Sequence, residues 1–99
     1  MIEILNLLMF IFLMKGDYNM TEMEWRREFK FMLRRTYKAK GYRNQKEFAE
    51  LVGISEKTIS RIMNCTITAS PNMVRMFADK LHCDVADIAP LEYIKTVRL

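Results

Sequence analysis

The chain has 99 residues, of which 51% are hydrophobic and 28% are charged, and this length suits one compact domain. A large two-domain enzyme is excluded, and the hydrophobic content is well above that of disordered chains. The net charge is +4, but residues 26–61 hold 11 Lys and Arg against four Glu, a local net charge of +7. This concentration favours a polyanionic partner, although charge alone leaves a solvated basic surface as an alternative.

The residues with metal-binding or redox chemistry are few. Two distant cysteines, Cys65 and Cys83, with the one histidine, His82, do not have the spacing of a four-ligand zinc site. We therefore expect free thiols, no metal, no cofactor and a cytoplasmic location. No Gly-rich phosphate loop or paired catalytic carboxylate is visible in the sequence, which predicts a protein that is not an enzyme.

Residues 1–19 form an apolar leader that ends in a polar break. Its first 14 residues are too few for a membrane span, which needs about 20, and they lack the basic start and cleavage site of a signal peptide. The sequence therefore favours a leader that neither spans a membrane nor acts as a signal peptide. Met14 or Met20 could be the true start, and otherwise the leader packs on the domain or pairs between protomers.

The first predicted helix starts after Thr21, which forms a capping-box pattern with Glu24. The helix is predicted to end before Gly41. Core-type side chains recur in it at helical spacing: Trp25, Phe29, Met32, Leu33, Thr36 and Tyr37. Basic side chains surround that stripe: Arg26, Arg27, Lys30, Arg34, Arg35 and Lys38. They either contact a polyanion or form a solubilising surface, and the sequence leaves both interpretations open.

Four shorter helices are predicted next. Asn44 caps residues 45–51 before Gly53, Ser55 caps residues 56–63, and Ser70 with Pro71 starts a helix that ends near residue 81. Asp84 then precedes a short helix over residues 85–89. Residues 91–99 form a C-terminal tail, for which an edge strand, packing on the domain and a dimer contact are all alternatives. The predicted fold is all-α, with five helices in one domain over residues 20–90.

The second and third helices are joined by a three-residue turn containing Gly53, which is typical of a helix-turn-helix unit. Small or glycine residues are required where the helices come closest and where φ is positive, and Ala49 and Gly53 satisfy these two positions. The five positions that face the inter-helix core are all apolar: Phe48, Val52, Ile54, Ile59 and Ile62.

With this motif, NQKEFAELVGISEKTISRIMN at 44–64, the sequence resembles the lambda-repressor-like family of Cro/repressor or XRE-type helix-turn-helix regulators. The resemblance covers about residues 24–90, including SPNMVRMFADKLHCDVADI at 70–88. It implies a compact five-helix DNA-binding domain whose third helix enters the major groove. Regulators of phages or mobile elements are typical of this group.

The resemblance also implies which side chains lie near DNA. Base contacts are expected from Ser55, Glu56, Lys57, Thr58 and Arg61. Phosphate contacts are expected from Gln45, Arg43, Lys46, Ser60 and Asn64. Arg61 is the principal base-reading candidate because a guanidinium can donate to both O6 and N7 of guanine. Glu56 either accepts a hydrogen bond from cytosine or stabilises the helix N-terminus. Where relatives commonly have glycine after the Asn64 position, this chain has Cys65.

The sequence thus predicts a transcriptional regulator, expected to be a repressor, that binds double-stranded DNA. One recognition helix reads about four to six base pairs, so a homodimer on an inverted-repeat operator is expected. The alternative is an antitoxin-like protein that neutralises a small protein partner and regulates its own synthesis through DNA binding.

Overall fold

The computed structural model describes residues 20–90, which form five α-helices. The predicted leader, residues 1–19, and the predicted C-terminal tail, residues 91–99, lie outside the described residues. The helices are α1 (Glu22–Ala39), α2 (Gln45–Val52), α3 (Glu56–Met63), α4 (Pro71–Lys80) and α5 (Val85–Ile88). The predicted all-α, five-helix fold is confirmed, and α5 ends one residue before its predicted end.

Four helices begin at a polar side chain that accepts a hydrogen bond from the backbone three residues later. Thr21 accepts from the amide of Glu24 at 3.2 Å, and Asn44 accepts from that of Glu47 at 2.9 Å. Ser55 and Ser70 cap α3 and α4 in the same way. Each cap satisfies an amide that has no partner inside its helix, so these starts are fixed by local chemistry.

The core lies where α1, α2 and α4 meet. α1 contributes four buried residues spaced four apart: Trp25, Phe29, Leu33 and Tyr37. Aromatic rings link the three helices, since Phe48 of α2 lies with its ring centroid 5.0 Å from that of Tyr37 and 5.2 Å from that of Phe77 of α4. Met32 and Thr36, which belong to the predicted stripe of α1, are half-buried.

The turn between α2 and α3 has the predicted geometry. Gly53 has φ +72°, in the left-handed region that favours glycine, and its amide donates to the carbonyl of Ala49 at 2.9 Å. Ala49 is buried between the packed helices. Four of the five predicted inter-helix residues are buried, and Ile54 is half-buried against the core.

The packing fixes which side of α3 remains outside. α3 packs on α2 and α1, while α5 closes the other side of the domain against α1 and α4. Ile59, Ile62 and Met63 therefore face inward and are buried. Among the described residues, no helix is long and apolar enough to cross a bilayer.

Candidate nucleic-acid interface

The outward surface of α3 presents two cations to solvent. Lys57 and Arg61 are four residues apart, which places them on one side of the helix, and both are exposed. Neither side chain forms a hydrogen bond or ion pair with another described residue. These side chains are therefore available to an external partner.

The first turn of α3 has polar residues that the helix itself partly uses. Ser55 accepts from the amide of Thr58, and its hydroxyl also donates to the Thr58 hydroxyl at 3.0 Å. Glu56 is exposed beside them. Since Ser55 holds the helix start, any contact it makes to a base has to coexist with its role as the cap.

The other end of α3 closes in the left-handed region without a glycine. Cys65 has φ +60°, and its amide donates to the carbonyl of Ile62 at 3.1 Å. Asn64 is exposed and donates to the hydroxyl of Ser60 at 3.4 Å. Cysteine therefore occupies a left-handed position that glycine adopts more readily, at the cost of backbone strain.

The start of α2 contains the remaining predicted phosphate contacts. Gln45 is half-buried at the first position of the helix, and Lys46 is exposed next to it. Arg43 is also exposed, but its guanidinium donates to the Glu47 carboxylate at 3.0 and 3.2 Å. The carboxylate also accepts from the Arg43 amide at 2.7 Å. These contacts hold the pKa of Glu47 below its usual value and raise that of Arg43.

A groove, here called the N-terminal groove, brings these residues beside the first turn of α3. It is lined by Arg34, Tyr37, Lys38, Arg43, Asn44, Gln45, Lys46 and Glu56. Four lining side chains are cations and Glu56 is the one carboxylate among them. The groove therefore has a positive potential next to the amide ends of α2, a combination that favours anions.

A second groove, the C-terminal groove, lies beside the last turn of α3. It is lined by Met23, Arg27, Lys30, Phe31, Arg34, Asn64 and Cys65. Phe31 is 76% exposed and Met23 is 43% exposed, the two large hydrophobic side chains that the described part of the chain leaves in solvent. The groove thus combines three cations with an apolar surface.

Arg26, by contrast, is a structural residue. Its guanidinium donates to the Thr68 hydroxyl at 2.7 Å, to the Cys65 carbonyl at 3.1 Å and to Glu22 at 3.2 Å. The contacts with Thr68 and Arg26 lower the pKa of Glu22. Arg26 therefore fastens α1 to the loop after α3 and is not part of a free basic surface.

The ten predicted site residues gather around α3 and the start of α2. Arg34 and Lys38 were not among them, although they line the N-terminal groove together with Gln45. Their four-residue spacing places them on one face of α1, but the sequence does not say which surface that face meets. Only the packing of α1 on α3 shows that this face borders the N-terminal groove.

Metal-ligating and thiol side chains are also present within residues 20–90. No three His, Cys, Asp or Glu side chains are placed to hold a metal ion there. Cys65 and Cys83 are free thiols, and burial raises the pKa of Cys83, which reduces its thiolate fraction.

Comparison with protein-family models identifies the family of the chain. A family model described as a Cro/C1-type HTH DNA-binding domain matches residues 32–94, well over half of the chain. The match begins within α1 and includes the whole of α2 to α5. No curated protein and no solved structure matches the chain.

Proposed function

The chain belongs to the Cro/C1-type HTH DNA-binding domain family, and on this premise we propose that it is a sequence-specific transcriptional repressor. The family resemblance predicted from residues 44–64 and 70–88 is confirmed by the match. In the proposed complex, α3 lies in the major groove of duplex DNA, and the protein acts by binding rather than by catalysis.

The observation that carries the proposal is the pair Lys57 and Arg61. Both are exposed and without a described partner, on a helix whose position is fixed by the Gly53 turn and by three buried residues. A rigid helix keeps its side chains in register with the base edges, and Arg61 can donate to guanine O6 and N7 at once. Lys57 can reach the same acceptors.

The remaining predicted residues are proposed to contact either the DNA bases or the sugar-phosphate backbone. Ser55, Glu56 and Thr58 surround the helix start, where base edges are read. Gln45, Lys46, Ser60 and Asn64 occupy the two ends of the interface and are proposed to bind phosphate oxygens. Arg43 joins this set by exchanging Glu47 for a phosphate.

The proposed active form is a homodimer on an inverted repeat. One copy of α3 reads about four to six base pairs, which is too few to mark a unique genomic site. Two copies related by a twofold axis read two half-sites about one helical turn apart.

Selection from a random duplex library with the full-length chain tests this function. The expected result is enrichment of a twofold-symmetric motif whose half-sites are about one helical turn apart. Failure of the folded protein to enrich any sequence would contradict the proposal. Enrichment of a single half-site would support sequence-specific DNA binding but contradict the proposed dimer.

A second candidate is the antitoxin-like function, which the exposed Phe31 and Met23 favour. Contiguous exposed apolar side chains commonly mark protein–protein contacts. If this surface binds a protein partner, co-expression with the proteins encoded by adjacent genes yields a stable complex, and Phe31→Ser abolishes it. A chain that stays uncomplexed with all of them would rule this candidate out.

A further inference from the structure

The C-terminal groove leaves an apolar surface uncovered beside the last turn of α3. Met23 and Phe31 are eight residues apart on α1, about two helical turns, and both line this groove. They are also the two large hydrophobic side chains that residues 20–90 leave exposed. Exposed apolar side chains that lie together commonly mark a contact with another apolar segment. The groove therefore fits an apolar occupant better than it fits a phosphate.

The leader, residues 1–19, is an apolar segment of the same chain that begins next to this surface. Twelve of its first 14 residues are apolar. It joins the domain at Met20, which is half-buried against the core three residues before Met23. We propose that residues 1–14 fold back along α1 and occupy the C-terminal groove of their own chain, where they compete with DNA.

The lengths of the two segments suit this arrangement. Fourteen residues of helix extend about 21 Å, and the part of α1 from Met23 to Arg34 that lines the groove extends about 17 Å. Residues 15–19 connect the two segments, and connections of about two to eight residues commonly join antiparallel helices. Gly16 and Asp17 within this connection are residue types that favour a turn.

The sequence of the leader indicates which of its sides meets α1. On a helix, Glu3 and Asn6, the two polar residues among the first 14, share one side. Leu8 and Phe12 share the opposite side, which is apolar. In the proposed arrangement, the side with Leu8 and Phe12 contacts the exposed pair on α1, and the side with Glu3 stays in solvent.

The cations of the groove are compatible with an apolar occupant. Arg27, Lys30 and Arg34 line it, and no carboxylate does. Long basic side chains can lay their aliphatic stems along an apolar surface while the charged ends remain in water. The tether adds to the stability of the contact, because it keeps the leader at a high effective concentration beside the groove.

Docking of the leader and binding of DNA use the same end of α3, and this part of the inference rests on the proposed function. Asn64, a predicted phosphate contact, lines the C-terminal groove together with Cys65. A helix with its side chains is about 10–12 Å across, so a helix in this groove covers Asn64. The docked leader therefore lowers the affinity of its own chain for DNA.

Cys65 provides a natural probe of docking, because it is a free thiol that lines the groove. Its rate of alkylation by iodoacetamide is measured by mass spectrometry in the full-length chain, without DNA. Cys83 is also a free thiol, but it lines a different groove and serves as the internal reference.

Two double variants of the full-length chain separate docking from a general change in the leader. Leu8→Gln/Phe12→Gln removes one Leu and one Phe from the docking side. Phe10→Gln/Leu13→Gln removes the same residue types from the side that holds Glu3. Neither variant changes the net charge, and circular dichroism checks that each is folded.

Leu8→Gln/Phe12→Gln is expected to raise the alkylation rate of Cys65 several-fold relative to that of Cys83, because the groove loses its cover. Phe10→Gln/Leu13→Gln is expected to leave this ratio close to that of the unmodified chain. Equal ratios in the three chains would leave the groove to an external partner and overturn the inference, as would equal increases in both variants. Shielding of Cys65 that disappears on dilution would identify a second copy as the occupant and overturn it too.

Fluorescence anisotropy with the enriched duplex tests the competition. Leu8→Gln/Phe12→Gln is expected to bind several-fold more tightly than the unmodified chain and the control variant. Shielding of Cys65 with equal affinities in the three chains would overturn the competition. A chain that shields Cys65 but binds no duplex would retain the docking and contradict the proposed function, so the two failures are distinguishable.

Discussion

The guanidinium of Arg43 lies 3.0 Å from the carboxylate of Glu47, four residues along the chain at the start of α2. The same carboxylate accepts from the Arg43 amide. Glu47 therefore holds a cation that is expected to bind phosphate. The Arg43 side chain is exposed and that of Glu47 is half-buried, so the pair stays open to solvent on one side and orients Arg43 rather than contributing much to folding.

Arg43→Ala is expected to raise the pKa of Glu47 toward its usual value, because the largest cause of the depression is the hydrogen bond from the Arg43 side chain. The amide of residue 43 still donates, so the return is incomplete. Carboxyl chemical shifts followed through a pH titration measure this. Glu22, whose pKa is lowered by Thr68 and Arg26, is the internal control and is expected not to change.

The sign of the associated stability follows from the direction of the shift. A folded-state pKa below the unfolded value stabilises the fold above the unfolded pKa, and this contribution is lost as the pH falls through the folded value. Acid therefore weakens the Arg43–Glu47 contact. If the stability of Arg43→Ala depended on acid pH as steeply as that of the unmodified chain, the contact would have no role.

Glu47→Gln is expected to strengthen binding to all duplexes by a few fold at low salt, because it releases Arg43 and removes a negative charge near phosphate. The amide oxygen of glutamine can still accept from the backbone. Fluorescence anisotropy with the enriched and scrambled duplexes measures the effect. Glu50→Gln, on the same helix, removes the same charge without releasing Arg43. A larger gain from Glu50→Gln would contradict this role.

Gly53→Val is expected to destabilise the fold by more than about 1 kcal/mol, because a β-branched residue is strained at φ +72°. Nothing lies within 4 Å of a Cβ at this position, so the cost is conformational and not a steric clash. Asn tolerates the left-handed region, and Gly53→Asn is therefore expected to cost less. Thermal unfolding compares them, and equal melting temperatures would refute the turn geometry.

Cys65→Gly is expected to stabilise the protein, because Cys65 has φ +60°. The left-handed conformation costs an L-residue about 1–2 kcal/mol. The greater freedom of glycine in the unfolded chain offsets about 0.4–1 kcal/mol of that gain. Cys65→Ala removes the thiol but keeps the strain, so no stabilisation is expected from it. If both variants had the same melting temperature, backbone strain would not explain the effect.

Arg26→Ala is expected to cost about 1–3 kcal/mol, because it leaves the Thr68 hydroxyl and the Cys65 carbonyl without their donor. Arg27→Ala, one position along and exposed, is the control and is expected to change stability by less than about 0.5 kcal/mol. Chemical denaturation measures both. A cost for Arg27→Ala equal to that for Arg26→Ala would contradict the role of the Thr68 and Cys65 contacts.

The features predicted best from the sequence are those set by neighbours in the chain. The four hydroxyl or amide caps, the left-handed Gly53 and the small Ala49 follow from local chemistry or from the tight helix-turn-helix spacing. The stripe of α1 was also predicted, because burial on one helix face imposes a period of about 3.6 residues.

Features that depend on distant contacts were not predicted. Arg26 looks like any other cation of α1, and its role depends on Thr68, 42 positions away in sequence. Arg34 and Arg35 are adjacent and chemically identical, yet they line grooves of different charge. Phe31 lies off the predicted stripe, but the sequence does not show which groove it lines. In each case, the packing of α1 against α3 and α5 assigns the surface, and periodicity alone does not contain that information.

The most direct test of the central claim compares Arg61→Ala with Arg75→Ala on the enriched duplex and on duplexes with one base pair exchanged in each half-site. Arg75 is an exposed arginine of α4 whose side chain bonds within its own helix. Arg61→Ala is expected to lose about 1–3 kcal/mol on the enriched duplex and to lose the preference at one position. Arg75→Ala is expected to retain both. If Arg61→Ala kept the full preference, α3 would not be the recognition helix.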